Sequence, residues 1–436
     1  MRQSRKWLIC TMALILILTI AGCASRNSAT PESDGNGVNQ GQNPDPSSPS
    51  ANDPQQEENA EPSPPQEEAT DPVVDQLDQL TTAEKIGQLV LVGMVGTEAD
   101  EHTKDLIETY HVGGFIFYKD NIKNSKQALK LFNQLKKDNK ANPVPLFLSV
   151  DEEGGRVSRM PGEFTKMPTA ANIGKTGNPE AAEEAYGIIG EELAGFGLNL
   201  DFAPVLDVNS NPDNPVIGDR AFGNTPEVVS KMGLAAMEGL SDKGVIPVVK
   251  HFPGHGDTSV DSHLGLPVVE HDLKRLKELE LVPFKAAIED GVDVVMIAHL
   301  LMPKLDPDHP ASFSKAVIHD LLREDLGYEG VVISDDMTMG AITENYKIED
   351  AAVDFIVAGG NIVLVGHDYE KEQAVIQAIT EAVEQGKISE EMLDERIYAI
   401  LKLKEKYRLS DEPASGPDIK AINTDIKQAV KEYGLQ

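Results

Sequence analysis

The sequence predicts an α/β fold, a single (β/α)8 TIM barrel. Three observations predict it: eight short apolar runs, helix-like segments between them, and ionisable residues gathered at the far ends of the runs. The runs are 89–94, 114–118, 146–150, 198–202, 245–249, 292–297, 331–334 and 362–365. Near-continuous apolar strands separated by helices indicate a parallel sheet covered on both faces. A doubly wound open sheet has the same pattern, so the count alone leaves both architectures open.

In chain order, the first two runs, LVLVGM and GFIFY, carry no charge. The third, LFLSV, is followed by Asp151, and the fourth, LNLDF, contains Asp201. Lys250 and His251 are expected to follow the fifth, VIPVV; His299 comes shortly after the sixth, VDVVMI; Asp335 and Asp336 follow the seventh, VVIS. The eighth, IVLV, leads into helical segments at 370–385 and 389–407 that finish the repeat. Any one of these ionisable residues reads most simply as a solvated loop charge or a structural ion pair. Their agreement from the third run to the seventh favours a barrel, whose active sites are assembled from the C-terminal ends of the strands.

The flanks have a different character. Arg2, Arg5 and Lys6 precede an apolar run at 7–20, which reads as a secretory signal, because its roughly 14 residues fall short of the ~20 a membrane span needs. Ile20-Ala21-Gly22-Cys23 resembles a bacterial lipobox, so the expected signal is 1–22 and Cys23 the lipid-bearing residue. Cys10 is the other cysteine, and a mature chain with Cys23 alone forms no internal disulfide. From Ala24 to Thr70 the chain is Ser, Asn, Pro, Gln and Glu with almost nothing to bury, so 23–70 is expected to be a lipidated, disordered tether reaching roughly 40 Å. The folded domain is expected at 71–409, with a tail at 410–436 whose apolar spacing suits a docking helix.

Lys plus Arg number 39 against 72 Asp plus Glu, a formal charge of −33. That excludes an electrostatic grip on nucleic acid and suits a neutral substrate. The densest chemistry lies in KHFPGHGDTSVDSH, 250–263, where Pro253, Gly254 and Gly256 break the chain around three histidines, two aspartates and a lysine. His251, His255, Asp257 and His263 are all competent metal ligands, but no pair has i, i+4 spacing on a helix-forming stretch, so no metal is expected.

Further strings accompany that loop: LTTAEKIGQLVLVG, GGFIFYKDNI, DEEGGRVSR at 151–159, NLDFAPVLDV at 199–208, IGDRAFG at 217–223, AHLLMPKLDP at 298–307 and ISDDMTMGAI at 333–342. In order and spacing they resemble glycoside hydrolase family 3, and within it the bacterial β-N-acetylglucosaminidases, over residues 73–409. The resemblance implies the closed barrel as the single catalytic domain and assigns roles. Asp335 matches the nucleophile, with Asp336 beside it structural. Asp151, Arg159, Arg220, Lys250 and His251 match positions that hold the sugar, and DSH matches the subgroup's acid/base pair, in which Asp261 polarises His263. His255, Asp257, Asp201, Asp207 and His299 remain loop-shaping candidates.

Imidazole suits acid/base work, since its pKa of about 6.5 lets it give and take a proton near neutrality. Other family members draw the acid/base from a second α/β domain; with only 408–436 after the last barrel helix, it is expected here from the barrel itself. The implied function is a retaining exo-β-N-acetylglucosaminidase acting on peptidoglycan fragments through a covalent glycosyl-aspartate, without cofactor. It is expected as a monomer, anchored by lipid on the extracytoplasmic face of the cell membrane. Three alternatives stand: an N-acetylglucosaminide phosphorylase using the same dyad, a sugar-binding lipoprotein without catalysis, and a metal-dependent barrel hydrolase.

Overall fold

The computed structural model describes residues 71–258, 262 and 265–435. The signal and tether expected at 1–70, with Cys23, and both members of the Asp261–His263 pair lie outside the described residues.

Eight parallel strands form the sheet: β1 (Val90–Val92), β2 (Gly114–Phe117), β3 (Phe147–Val150), β4 (Leu200–Asp201), β5 (Ile246–Phe252), β6 (Val294–Ile297), β7 (Val331–Ser334) and β8 (Val363–Val365). Each pairs with its neighbour in chain order, β8 pairs with β1, and a parallel bridge from Ile333 to Ile362 joins the remaining seam. The fold is therefore a (β/α)8 barrel. Every strand residue is buried, as expected where side chains fill the barrel on one face and meet helices on the other.

The helices begin and end where local chemistry dictates. Helix Thr82–Gln88 opens on a capping box in which Thr81 and Glu84 satisfy each other's backbone amides. Helix Pro179–Phe196 starts with the Asn178 side chain accepting from Glu180 N and Pro179 in the first turn, and it stops at Gly197, whose φ of 74° is left-handed. After the last barrel helix, Glu390–Lys406, the chain runs back under the barrel, where Asp411 accepts from Asn139 Nδ2 and Leu146 N. It ends in helix Ile419–Tyr433, which buries Ile422, Ile426 and Ala429 and whose Tyr433 hydroxyl donates to Glu184 at 2.9 Å. None of the described helices is long and apolar enough to cross a membrane.

One expectation is corrected. Lys250 and His251 do not follow the fifth strand; β5 runs on to Phe252 and contains both. Pairing with β6 slips between Val249 and Phe252, and across this irregularity both adjacent side chains reach the cavity at the end of the barrel. A regular strand would send them to opposite faces.

Candidate active site

A cavity of about 360 Å³ opens at the C-terminal end of the barrel. It is lined by Asp151, Arg159, Arg220, Lys250, His251 and Asp335, so the structure brings together all the sequence-predicted site residues that are described. Its volume lies within the usual range for small-molecule sites.

The floor is a charge network that begins where β3 ends. Lys250 Nζ, 2.7 Å from Asp151 Oδ1, is also 2.7 Å from Glu153 Oε1. Arg220, on the short turn Gly218–Arg220, donates from Nε and Nη2 to the two Glu153 oxygens at 2.8 Å each. Arg159 Nη2 approaches Asp151 Oδ2 at 3.5 Å. Burial opposes the Glu153 charge, but Arg220 and Lys250 outweigh it and hold the carboxyl well below the usual range. Burial likewise opposes the Lys250 ammonium, and Asp151 and Glu153 outweigh it, so its pKa lies above the ordinary lysine value. Glu153 and Lys250 are thus held in their charged forms, and the floor presents both donors and acceptors to hydroxyl groups.

Glu153 is a residue that sequence reasoning missed. Its signal was the pair Gly154-Gly155 directly after it, both at positive φ (79° and 56°), which turns the chain sharply behind the carboxylate. The preceding Glu152 is also buried, and its Oε2 accepts from Arg159 N and Met160 N at 2.7 and 3.2 Å, holding the loop that carries Arg159. Burial pushes its pKa up to about 7. Asp201 lies below the floor, where its Oδ1 accepts from Glu152 N at 2.9 Å and burial raises its pKa well above the usual value.

His251 forms one wall. Its Nδ1 is 2.6 Å from Asp207 Oδ2 and its Nε2 3.3 Å from Arg220 Nη2. Asp207 Oδ1 also accepts from His255 N at 2.6 Å, so one buried carboxylate ties the strand to the start of the histidine-rich loop. His255 lies against Thr258 Oγ1 (2.8 Å, Nδ1) and Ser262 Oγ (3.4 Å, Nε2). Burial, and next His251, push its pKa down to about 4, so it is neutral at neutral pH and fitted for hydrogen bonding within the loop.

The two aspartates after β7 differ. Asp335 N donates to Ile297 O, and Asp335 Oδ1 accepts from Asp336 N at 2.8 Å. Asp336 accepts from the Tyr118 hydroxyl (3.0 Å), Thr338 N (2.9 Å), Thr338 Oγ1 (2.7 Å) and Gly366 N (2.9 Å). Its own carbonyl takes a hydrogen bond from His299 Nε2 at 3.0 Å, while His299 Nδ1 faces Ser312 Oγ at 2.8 Å. His299 is therefore a buried support for the 335–336 turn. Tyr118, also missed from the sequence, is kept protonated by burial first and by Asp336 next, which raise its pKa well above the usual value.

Asp257 is not among the residues lining the cavity. It accepts from His271 Nε2 at 2.7 Å, and with Glu280 this forms the His/carboxylate cluster among the described residues whose ligand atoms come within 4.8 Å of one another. Arg275 already donates to both Glu280 oxygens, at 3.0 and 3.4 Å, so Glu280 is paired with a cation of the protein itself.

Residues 81–403 match the glycosyl hydrolase family 3 N terminal domain. Beta-hexosaminidase A of Pseudoalteromonas piscicida is 37% identical over 69% of this chain, which spans 54% of that protein, about half its length. A beta-hexosaminidase of Mycobacterium tuberculosis is 35% identical over 74% of this chain and 83% of its own. Among solved structures, a glycoside hydrolase family 3 beta-N-acetylglucosaminidase from a Paenibacillus species superposes with a TM-score of 0.77 at 42% identity, covering 81% of this chain and 69% of that one.

Proposed function

The chain belongs to glycosyl hydrolase family 3, and on that premise we propose that it is a retaining exo-β-N-acetylglucosaminidase with Asp335 as its nucleophile. The observation that carries the assignment is the division of labour between adjacent aspartates. Both aspartates line the cavity over the Asp151–Lys250–Arg220 floor; Asp336 is tied down by four hydrogen bonds to Tyr118, Thr338 and Gly366, while Asp335 is the one that matches the family's nucleophile position.

In the first step an Asp335 oxygen bonds to the anomeric carbon as the glycosidic bond breaks, and His263 gives its proton to the departing oxygen. In the second, His263 takes a proton from water, whose oxygen replaces Asp335 on the sugar. Asp261 orients the imidazole and stabilises its protonated form. The roles of Asp261 and His263 rest on the sequence resemblance. The floor holds sugar hydroxyls, and hydrogen bonds that tighten as the ring flattens lower the barrier.

Trapping with a fluorinated N-acetylglucosaminyl fluoride, followed by peptide mass spectrometry, tests the nucleophile. The label is expected on Asp335, and Asp335→Ala is expected to lose turnover; a label on Asp336 rejects the choice. Sugar 1-phosphate formed in phosphate buffer would instead assign phosphorolysis in the second step.

The resemblance also supports cell-wall peptidoglycan fragments as the natural substrate, which release of N-acetylglucosamine from purified fragments checks. The IAGC sequence supports a lipid anchor on Cys23 at the outer face of the cell membrane. Cys23→Ser protein that still fractionates with membranes would reject the anchor.

A further inference from the structure

Of the described residues that line the cavity, His367 alone is exposed; the others are buried or half-buried. It lies just beyond the C-terminal end of β8, and its ring stacks on Tyr118 with centroids 4.3 Å apart and planes 29° from parallel. Tyr118 is fixed from behind by the hydrogen bond from its hydroxyl to Asp336. Gly366, immediately before His367, donates its amide to the same carboxylate, and a Cβ there would come 2.0 Å from Tyr118 Oη. His367 is therefore anchored through both its stacking partner and its backbone to the aspartate beside Asp335. Its ring nitrogens make no hydrogen bond among the described residues, so its polar edge is available at the cavity mouth.

The geometry defines a direction. A sugar seated on the Asp151–Lys250–Arg220 floor occupies the closed end, so the group leaving from the anomeric carbon at Asp335 must extend toward the mouth. The exposed ring there is His367. Sugar rings carry apolar C–H faces that pack on aromatic planes, and an imidazole edge adds one hydrogen bond to a hydroxyl. We propose that His367, backed by Tyr118, is the platform for the leaving-group sugar and makes the protein prefer carbohydrate over small leaving groups. This inference rests on the reading of Asp335 as the nucleophile.

The test compares two substrates that share the transferred sugar and differ in what leaves: a β-linked N-acetylglucosamine disaccharide and N-acetylglucosaminyl fluoride, whose leaving group is one atom. The ratio of their kcat/KM values, disaccharide over fluoride, is expected to fall about ten-fold in His367→Ala, chiefly through KM for the disaccharide. His367→Phe keeps a ring on Tyr118 and is expected to bring the ratio back to within about three-fold of wild type. A ratio unaltered in His367→Ala, or lost equally in His367→Phe, overturns the platform while leaving the nucleophile reading intact. Wild-type protein that turns over neither substrate removes the nucleophile reading and the platform with it.

Discussion

Lys250, on β5 at the C-terminal end of the barrel, and Lys404, on the last barrel helix at the other end, are both almost wholly buried, with 1% and 4% exposure. Lys250 meets two carboxylates, Asp151 and Glu153. Lys404 donates to Gln88 Oε1 (2.7 Å), Gly113 O (3.0 Å) and Pro145 O (2.7 Å), with its ammonium 4.3 Å from the centre of the Phe147 ring. Those three acceptors are neutral and immediately precede or approach β1, β2 and β3, so Lys404 fastens the entry of three strands. Burial disfavours the charge in both places. Carboxylates overcome it for Lys250, whereas burial pushes the Lys404 pKa down to about 7, opposed only by Asp411. The same residue type is thus held charged by carboxylates at the cavity and set as a hydrogen-bond donor to neutral acceptors where the fold closes.

The largest expected effect breaks the comparison at the site. Lys250→Met leaves Asp151 and Glu153 short of a counter-charge and removes a donor, so kcat/KM on an N-acetylglucosaminide should fall by about 10²–10³ or more. A loss below about ten-fold would show that the floor does not depend on this cation.

Glu153→Gln sharpens the comparison by keeping shape and removing one charge. Arg220 and Lys250 lose a shared partner, and kcat/KM is expected to drop by about 10- to 100-fold with the protein still folded by circular dichroism. Wild-type kinetics in this variant would leave Asp151 as the partner that matters.

The smallest effect on activity belongs to Lys404→Met, expected to keep kcat/KM within about three-fold of wild type, because the substitution lies at the stability end of the barrel. Its signature is the pH dependence of stability. A lysine whose folded pKa is about 7 against an ordinary 10.5 binds fewer protons folded than unfolded between those values, so its contribution improves as pH rises through that window. The stability of wild type minus variant should therefore grow from pH 7 to pH 10, by at most about 1.4 kcal/mol per pH unit. A flat difference in denaturant titrations would mean that the carbonyls and the Phe147 ring keep the ammonium charged.

All eight runs proved to be strands, because a strand buried on both faces writes its apolar character into consecutive residues. VVIS at 331–334 is β7 to the residue, and Asp335 follows it as its position at a strand end implied. The fifth run failed at its end for a physical reason: Lys and His do not read as strand, yet β5 carries them because its pairing slips there. Glu153 is hard to single out because Asp151, Glu152 and Glu153 are alike in charge and only the Gly154-Gly155 turn behind it sets it apart, and His367 because an exposed aromatic at a strand end resembles any loop residue.

By itself the sequence determined the strands, their order and the residues that emerge at their C-terminal ends, because periodicity and strand length are local properties of the chain. Tertiary structure alone decided which of those residues meet. Tyr118 reaches Asp336 across 218 positions and Lys250 reaches Asp151 across 99, contacts that exist only once the ring closes. Closure also settles the protonation of the buried lysines, since carboxylates from another strand end hold Lys250 charged against burial, while burial lowers the pKa of Lys404.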